Sequence, residues 1–381
     1  MDGVVGATSG YTRLLRDIAA AAERHDREAS FPFENFELLR DAGLLSLTAR
    51  VEDGGAGAGL AEVARIVGDV AHACPSTALV LAMQLIHLKV AAEGEWPAYL
   101  RAHVARSAGL INALRVEPAL GTPARGGLPE TNARRTADSW SISGTKIYST
   151  GSPGLAWMLV FAQTDEPESE GGPRVGMFLV PAKAPGISII ETWDHLGLRA
   201  SGSHDVVFDR VAIPLDHAVD LRQPAEWKLP DIQHAAWNTV TIAALYTGVA
   251  RAARDWLISF LHDRVPANLG APLATLPRLQ EAVGAIEALL AANTRLISSI
   301  AADYDRGVDI PASEYGLVKG IASENAILAV EQAIKLAGNH GLSRSNPLER
   351  HLRDVLCSRV HTPQADTAHI AAGRAALFPE S

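Results

Sequence analysis

The segment Gly144-Thr-Lys-Ile-Tyr-Ser-Thr-Gly151 lies near the middle of the chain, in a stretch whose pattern is that of short β-strands. Its threonine, isoleucine and tyrosine residues favour strands, and a glycine stands at each end of it. Comparable apolar runs separated by glycine and proline extend from about residue 109 to residue 222: Gly109–Arg115, Trp140–Tyr148, Trp157–Gln163, Val175–Pro181, Ile187–Thr192 and Val206–Val211. Six strands at this spacing predict a central β-barrel or a sandwich.

Helical patterns flank this β module on both sides. From about residue 9 to residue 108 apolar residues recur at helical spacing, and Thr77–His87 is apolar on nearly all sides, as a buried helix would be. Glu52–Gly59 is rich in glycine and predicts a loop. After residue 230 the pattern predicts long bundle helices followed by two shorter ones: Ile232–Leu261, Pro277–Tyr304, Pro311–Ala337, Leu348–Arg359 and Gln364–Leu377.

We therefore expect a mainly α-helical protein with a central β-barrel. Its predicted parts are an N-terminal helical domain (1–108), a β-barrel domain (109–222) and a C-terminal helical bundle (223–381). The 381 residues are 48% hydrophobic and 20% charged, which is enough to bury the cores of two or three modules.

Charge and cysteine content argue against several classes of protein. The formal net charge is −9, and no run of lysine and arginine predicts binding to nucleic acid. The N-terminus has no secretory-signal pattern, and the apolar run Thr77–His87 is too short for a membrane span. Cys74 and Cys357 have no metal-binding spacing, and we interpret them as buried structural thiols. We expect a cytoplasmic protein with no metal site and no membrane partner.

Three further motifs accompany the Gly144–Gly151 segment. They are Trp193-Asp-His-Leu-Gly-Leu-Arg-Ala-Ser-Gly-Ser203, Gly338-Asn-His-Gly-Leu-Ser-Arg344 and Asn346-Pro-Leu-Glu-Arg-His-Leu-Arg-Asp354. Together the four segments, in the correct order along the whole chain, resemble the acyl-CoA dehydrogenase superfamily. The resemblance implies a flavin-dependent oxidoreductase with an N-terminal helical domain, a β-barrel and a C-terminal four-helix bundle. It also implies a homotetramer with a flavin at the junction of the β and α domains.

Tyr148 and Thr150 are the residues of the first motif that suit a flavin. Because they are two positions apart in a strand, we expect them to point to the same face and to offer an aromatic surface and a hydroxyl. The resemblance implies that Thr150 hydrogen-bonds near the reactive edge of the flavin. We also assign Asn112 and Ser149 to the cofactor site.

The C-terminal part of the chain resembles the segments that hold the distal half of the cofactor. Arg264 resembles the arginine that binds the pyrophosphate, a task that suits the paired donors of a guanidinium. The turn that contains Gly338, Asn339 and Gly341 resembles the turn through which a neighbouring subunit reaches the adenosine half. Lys335 stands where the family often has glutamine, so both FAD and FMN stay open as cofactors.

A dehydrogenase of this family removes an α-proton from an acyl thioester with a carboxylate. One of the two family positions for this base falls at Thr362, and the other falls at Asn238. Neither residue is acidic. Asp366, a short distance after Thr362, is the alternative if the loop is shifted.

His361, next to Thr362, favours a different reaction. In flavin monooxygenases that share this fold, such as dibenzothiophene monooxygenase, a histidine at the corresponding place is the active-site base. A second histidine matches His87, and a strand hydroxyl matches Thr150. An imidazole that titrates near neutrality suits the proton transfers of oxygen activation. We therefore assign His361, Thr150 and His87 as catalytic residues of a two-component monooxygenase that uses reduced flavin and O₂ on a small organic substrate.

Two alternatives stay open. One is an acyl-CoA dehydrogenase that oxidises the CH–CH bond of an acyl thioester with FAD and passes electrons to an electron-transfer flavoprotein. The other is a non-catalytic binding protein with a flavin fold. Because no GxGxxG motif follows a strand and opens a helix, a monooxygenase would need reduced flavin from a separate reductase.

The remaining histidines and the bundle helices lead to two structural expectations. We interpret His195, His204 and His340 as structural, and we place His351 on a solvated, charged helix face. The apolar residues of Pro277–Tyr304 occupy more than one face, which predicts apolar surface for subunit contacts.

Overall fold

The computed structural model describes residues 8–119, 128–166, 172–228 and 231–378. Five helices come first: α1 (Thr8–Glu28), α2 (Phe33–Asp41), α3 (Leu60–Ala73), α4 (Pro75–Glu93) and α5 (Ala98–Ser107). Between α2 and α3, the predicted loop begins within the 3₁₀ turn Val51–Asp53 and has no regular structure after it.

Helix α4 is the predicted buried helix. It starts at Pro75, a residue suited to the first helical turn, and it buries side chains on all sides. By length and composition α4 and the helix Pro277–Asp305 could each cross a membrane. Most of α4 is enclosed within the protein, as in the core helix of a globular fold.

The middle of the chain forms one mixed sheet. Its strands are β1 (Leu110–Leu114), β2 (Asn132–Arg135), β3 (Ser139–Ser149), β4 (Leu155–Thr164), β5 (Val175–Pro181), β6 (Ile187–Ile190), β7 (His204–Pro214) and β8 (Ala218–Arg222). The six predicted strands are confirmed with small shifts at their ends. The sequence pattern missed β2 and β8, because both are short and carry charged residues that conceal the apolar alternation.

The predicted closed barrel is wrong. The strands follow the order β6-β7-β3-β2-β4-β5-β8, and β1 pairs in parallel with β4 on the edge that β4 shares with β2. A barrel closes only when its outermost strands hydrogen-bond to each other. Among the described residues, β6 pairs with β7 alone and β8 pairs with β5 alone. The number of strands gave no information about this pairing.

The C-terminal part contains α6 (Ile232–Asp263), α7 (Pro277–Asp305), α8 (Ala312–Ala337), α9 (Asn339–Leu342), α10 (Leu348–Leu356) and α11 (Ala365–Leu377). These bounds confirm the predicted helices. Helix α6 is central, since it packs against α3, α4, α7 and α8. Its approach to α3 requires a glycine, because a Cβ atom at Gly248 would lie 2.3 Å from the carbonyl oxygen of Gly68.

Only 28% of the apolar stretch of α7 is buried, so the expected apolar surface on this helix stays a prediction, although most of its large side chains face the bundle. Leu279, Ile286, Leu290, Ile297 and Ile300 are all buried against the bundle, and the other two that suggested it, Val283 and Leu289, are partly buried. Large apolar side chains that are exposed occur instead on α8, on α11 and just after them: Ile321, Leu328, Leu342, Ile370, Leu377 and Phe378. The homotetramer and the three domain boundaries stay predictions.

The placement of His351 on a solvated face is also wrong. His351 is buried, and this burial lowers the pKa of its imidazole to about 3. It lies three residues after Leu348 and four before Val355, which are both fully buried, so it shares their face of α10. Its neighbours in sequence are charged, but its neighbours on the helix face are apolar. Of the two thiols, Cys74 is buried and Cys357 is partly buried.

Candidate active site

Strand β3 ends at Ser149, so Thr150 lies just beyond it, and the common face of Tyr148 and Thr150 stays a prediction. The pairing of β3 with β7 shifts register between Lys146 and Ser149, and Tyr148 has a φ of 55°, in the left-handed region that non-glycine residues rarely adopt. The shift turns the Tyr148 ring outward, where its side chain is 55% exposed. Such a backbone outlier is a candidate for function.

The Tyr148 ring is part of an aromatic cluster. Trp193 and His195 stack on each other with ring centres 3.7 Å apart, and both meet the Tyr148 ring edge to face. Ser149, the next residue, points inward, and its hydroxyl is buried with no hydrogen-bond partner in the described part of the chain. An exposed aromatic ring next to an unsatisfied hydroxyl fits a flavin ring, which needs an apolar wall and hydrogen-bonding groups. These residues therefore fit the cofactor that the sequence predicts.

Thr150 is held in position by polar neighbours. Its hydroxyl lies 3.0 Å from that of Ser203, which lies 2.8 Å from that of Ser201. Its carbonyl oxygen accepts a hydrogen bond of 2.9 Å from the side-chain amide of Asn112. Sequence reasoning did not assign Ser201 and Ser203, although both lie in the quoted motif that ends at Ser203.

His87 joins this group through Asn112. The Asn112 side chain lies near enough to act on the pKa of His87, and the His87 ring stacks on that of His234, with ring centres 6.5 Å apart. Burial, followed by the influence of His234 and Arg115, lowers the pKa of His87 to about 3. Burial and the charge of Arg115 lower the pKa of His234 to about 4. Both imidazoles are therefore neutral at pH 7. Sequence reasoning missed His234, whose contact with His87 depends on how α6 crosses α4.

His361 lies in the loop after α10, beside α6. Its Nδ1 atom is 2.7 Å from the hydroxyl oxygen of Tyr246 on α6. Its backbone carbonyl accepts a hydrogen bond of 2.7 Å from the ammonium of Lys319, which also binds the carbonyls of Ser358 and Pro363. Burial, with a smaller effect of the Lys319 charge, lowers the pKa of His361 to about 4. The loop is thus fastened to α8 by a buried lysine, and its histidine is neutral.

The family positions for a carboxylate base hold no carboxylate. The Asn238 side chain donates a hydrogen bond of 2.8 Å to the carbonyl oxygen of Thr362, so the two positions touch each other. Asp366 is exposed in the first turn of α11 and accepts a hydrogen bond from the backbone amide of Thr367. It lines a cavity of about 310 Å³ beside Lys319 and Glu324 on α8. The structure gives no support to a shifted loop with Asp366 as base.

The residues assigned to the distal half of the cofactor lie elsewhere. Arg264 is exposed just after the end of α6 and lines a cavity of about 300 Å³ with Phe260. The Phe260 ring contacts that of His340, which stands in the turn between Gly338 and Gly341. Gly338 has a φ of 59°, which favours glycine. Lys335 and Asn339 are exposed beside this turn.

The length of α6 separates the two groups of assigned residues. At a rise of 1.5 Å per residue, Arg264 lies roughly 45 Å along the helix from His234. The structure brings Thr150, Asn112 and His87 together near the start of α6. It brings Arg264 close to the glycine turn at the opposite end. Within one chain, the second group cannot reach a flavin ring bound at the first.

The histidines interpreted as structural have partners inside the fold. The Nδ1 atom of His204 accepts hydrogen bonds of 3.1 Å from the backbone amides of Thr192 and Trp193. Throughout the described ranges, no group of three or more histidine, cysteine, aspartate or glutamate residues could hold a metal ion.

Comparisons with known proteins agree with the order of helical, β and helical parts along the chain. Family models of the N-terminal, middle and C-terminal domains of acyl-CoA dehydrogenase match residues 13–94, 115–211 and 240–364. The Bacillus subtilis protein named "Putative acyl-CoA dehydrogenase YdbM" is 33% identical over 94% of this chain and 93% of its own length. The chain belongs to the acyl-CoA dehydrogenase family. It is a flavin-dependent oxidoreductase whose cofactor is FAD or FMN.

Solved structures with the same fold include proteins that are not named acyl-CoA dehydrogenases. KijD3, in complex with FMN and a dTDP-linked amino keto sugar, is 27% identical and superposes with a TM-score of 0.83 over 99% of this chain and 95% of KijD3. FMN-bound TdsC from Paenibacillus is 20% identical, with a TM-score of 0.81 over 98% of this chain and 97% of TdsC. The likeness to TdsC shows the fold alone.

Proposed function

We propose that this family member is a monooxygenase that uses reduced flavin and O₂ to oxygenate a small organic substrate. The observation that carries the proposal is that neutral side chains stand at the two positions where a dehydrogenase of this family has its carboxylate base. Thr362 and Asn238 occupy the positions of the carboxylate base, while the neutral imidazoles of His87 and His361 lie along the first half of α6. A dehydrogenase needs a strong base at an α-carbon, whereas oxygen transfer needs groups that position and donate protons.

The residues around Tyr148 and Thr150 would hold the flavin ring. Bound reduced flavin would supply the electrons that activate O₂. The Tyr148 ring would offer an apolar wall, and the Thr150 hydroxyl would offer a hydrogen bond at the edge of the flavin. The distal part of the cofactor would be held by Arg264 and the Gly338–Gly341 turn of a second copy, because α6 separates them from Thr150 within one chain.

His361 would exchange a proton with the substrate or with the reacting oxygen. Burial raises the pKa of Tyr246 well above its usual value, so its hydroxyl keeps its proton at neutral pH. When Nδ1–H of His361 donates to the Tyr246 hydroxyl oxygen, Nε2 of the neutral imidazole keeps its lone pair. Tyr246 is then a positioning residue, and Nε2 is the atom of His361 that accepts a proton and afterwards returns it.

His87 and Asn112 would orient the opposite side of the site. The Asn112 amide donates to the Thr150 carbonyl, and its side chain also acts on the pKa of His87, so it stands between α4 and the end of β3. Around them α4 and α6 bury apolar side chains such as Leu85, Ile86 and Val240, which exclude water. A dry site protects the reaction from the competing release of H₂O₂.

The electrons would come from a separate flavin reductase. A second candidate function, acyl-CoA dehydrogenase, is favoured by the name of YdbM, the relative that is 33% identical. In that case the flavin would be reduced by the substrate and reoxidised by an electron-transfer flavoprotein.

An anaerobic titration separates the two functions. The flavin-loaded protein is mixed without O₂ with saturated acyl-CoA thioesters from four to sixteen carbons, and flavin absorbance near 450 nm is followed. We expect no bleaching by the thioesters and none by NADH or NADPH alone. We expect oxygenation of a test substrate such as indole-3-carboxylate once a flavin reductase and air are added. Bleaching by an acyl-CoA would overturn the proposal, and rapid direct oxidation of NADH would remove the need for a reductase.

A further inference from the structure

Arg115 follows directly after β1, three residues beyond Asn112, and its guanidinium has aromatic neighbours. The guanidinium carbon lies 5.3 Å from the centre of the Phe161 ring and 5.5 Å from that of the Trp227 ring. Trp227 is fixed in turn, because its indole N–H donates a hydrogen bond of 2.6 Å to the carbonyl oxygen of Val175. The rings therefore orient the Arg115 side chain rigidly.

The guanidinium of Arg115 has no hydrogen bond and no ion pair with any residue in the described ranges. Its Nε atom is completely enclosed and has no partner. Burial lowers the pKa of the guanidinium, while Asp231 and Asp220 act on it only at longer range. Arg115 as a whole is only partly buried, but an enclosed N–H donor without an acceptor is unfavourable. Such a group needs an explanation.

The carboxylates that could neutralise Arg115 have other partners. Asp220 accepts two hydrogen bonds of 2.8 Å from Arg222, and Asp231 caps α6 at the backbone amide of His234. Glu117 accepts hydrogen bonds from the buried Lys146 and from Thr131. The Arg115 charge therefore remains without a direct counter-ion among these groups.

Arg115 acts on the candidate active site, because its charge helps to lower the pKa values of both His87 and His234. Since both imidazoles are neutral, Arg115 supplies the positive charge on this side of the site. A guanidinium binds carboxylate and phosphate through paired N–H donors in one plane.

We propose that Arg115 binds an oxyanion, a carboxylate or phosphate, on the substrate of the monooxygenase. The substrate class is therefore a small organic acid or phosphate ester. The adjacent rings of Phe161 and Trp227 hold the guanidinium plane and provide apolar surface for the rest of the molecule. This inference rests on the proposed function for its meaning, but it can be tested without any oxygen chemistry.

The test is calorimetric titration of the oxidised, flavin-loaded protein with benzoate, phenyl phosphate and the neutral amide benzamide. We expect at least one of the two anions to bind more tightly than benzamide. Arg115→Met should weaken binding of that anion about 10- to 100-fold, the range for losing hydrogen bonds to a charged group, and leave benzamide unchanged. Arg115→Lys should restore part of the affinity, since it keeps the charge and loses the paired donors. The better-bound probe tells whether the group is a carboxylate or a phosphate.

Arg222→Met is the matched control. Its guanidinium lies 4.9 Å from the centre of the same Trp227 ring, but it is paired with Asp220. We expect this variant to keep the anion affinity. Three outcomes would overturn the inference: wild-type protein that prefers benzamide or binds no anion, equal losses of anion affinity in the two Met variants, or an Arg115→Met variant that keeps the wild-type anion affinity and loses only thermal stability. If an acyl-CoA bleaches the flavin while anion binding still depends on Arg115, the proposed function fails and the oxyanion site stands.

Discussion

Tyr246→Phe tests whether His361 acts through a fixed tautomer. The substitution removes one oxygen atom, 2.7 Å from Nδ1 of His361, and leaves the ring that packs beside the imidazole. Among the described residues Nδ1 then has no hydrogen-bond partner. Losing one partner of such a hydrogen bond destabilises the present orientation of the His361 imidazole by about 1–3 kcal/mol. At about 1.4 kcal/mol for each factor of ten, the correctly oriented imidazole becomes about 5- to 150-fold less populated.

The assay for this variant measures product formed per O₂ consumed. A flavin reductase supplies reduced FMN, and indole and indole-3-carboxylate serve as test substrates. We expect product formation to fall about tenfold while O₂ is still consumed and released as H₂O₂. Flavin affinity should not change, because Tyr246 lies roughly 18 Å further along α6 than His234, which stands beside the His87 group.

Tyr315→Phe is the matched control for Tyr246→Phe. Tyr315 is buried on α8, and its hydroxyl makes no hydrogen bond within the described ranges. It should keep the wild-type product yield. A wild-type yield in Tyr246→Phe, or an equal loss in Tyr315→Phe, would refute the role of Tyr246.

Three further predictions concern the acid–base histidine, the pH dependence of stability and the assembly. His361→Ala should lower product formation about 10²–10⁴-fold, the usual range for a positioned acid–base group, with flavin binding intact; an unchanged yield would exclude His361 from the chemistry. The free energy of unfolding should fall as pH drops from about 6.5 towards 4, because burial depresses the pKa of four histidines, His87, His234, His351 and His361, to about 3 or 4. Each of them binds a proton in the unfolded chain before it does so in the folded one. The buried Asp354, whose pKa rises to about 7, takes up a proton on folding and offsets one of the four. The net slope is at most about 4 kcal/mol per pH unit, and denaturant unfolding at pH 6.5, 6.0 and 5.5 would show it; equal stability at these values would contradict it. Light scattering should show a tetramer. Arg264→Gln should weaken flavin binding without changing the fold. A stable monomer at micromolar concentration that binds flavin normally would contradict the cofactor contact between subunits.

The sequence by itself determined the succession of helices, sheet and helices. Helical periodicity is a local property, so α6, α7 and α8 were predicted within two residues of their observed ends. The predicted β runs are also local patterns, and all six occur as strands. The four motifs also identified the family, because they combine residue type with spacing along the whole chain.

The tertiary structure alone decided which residues meet. Sheet closure depends on hydrogen bonds between strands far apart in sequence, and the predicted barrel failed on that point. The period-two argument for Tyr148 and Thr150 needs a regular strand, but Tyr148 is left-handed, the pairing shifts register there and β3 ends at Ser149. His351 was misplaced because burial follows the face of a helix and not the charge of adjacent residues.

The candidate site was therefore only partly predictable. His361, His87, Thr150 and Asn112 could be assigned from motifs, whereas their partners could not. His234, Tyr246 and Ser203 lie 147, 115 and 53 residues from the groups they contact. A periodicity in the sequence cannot predict contacts over such separations. These contacts arise from the way α6 crosses α4 and from the position of the loop after α10. The separation of Arg264 from Thr150 has the same cause: a straight helix of 32 residues places its two ends at opposite sides of the molecule.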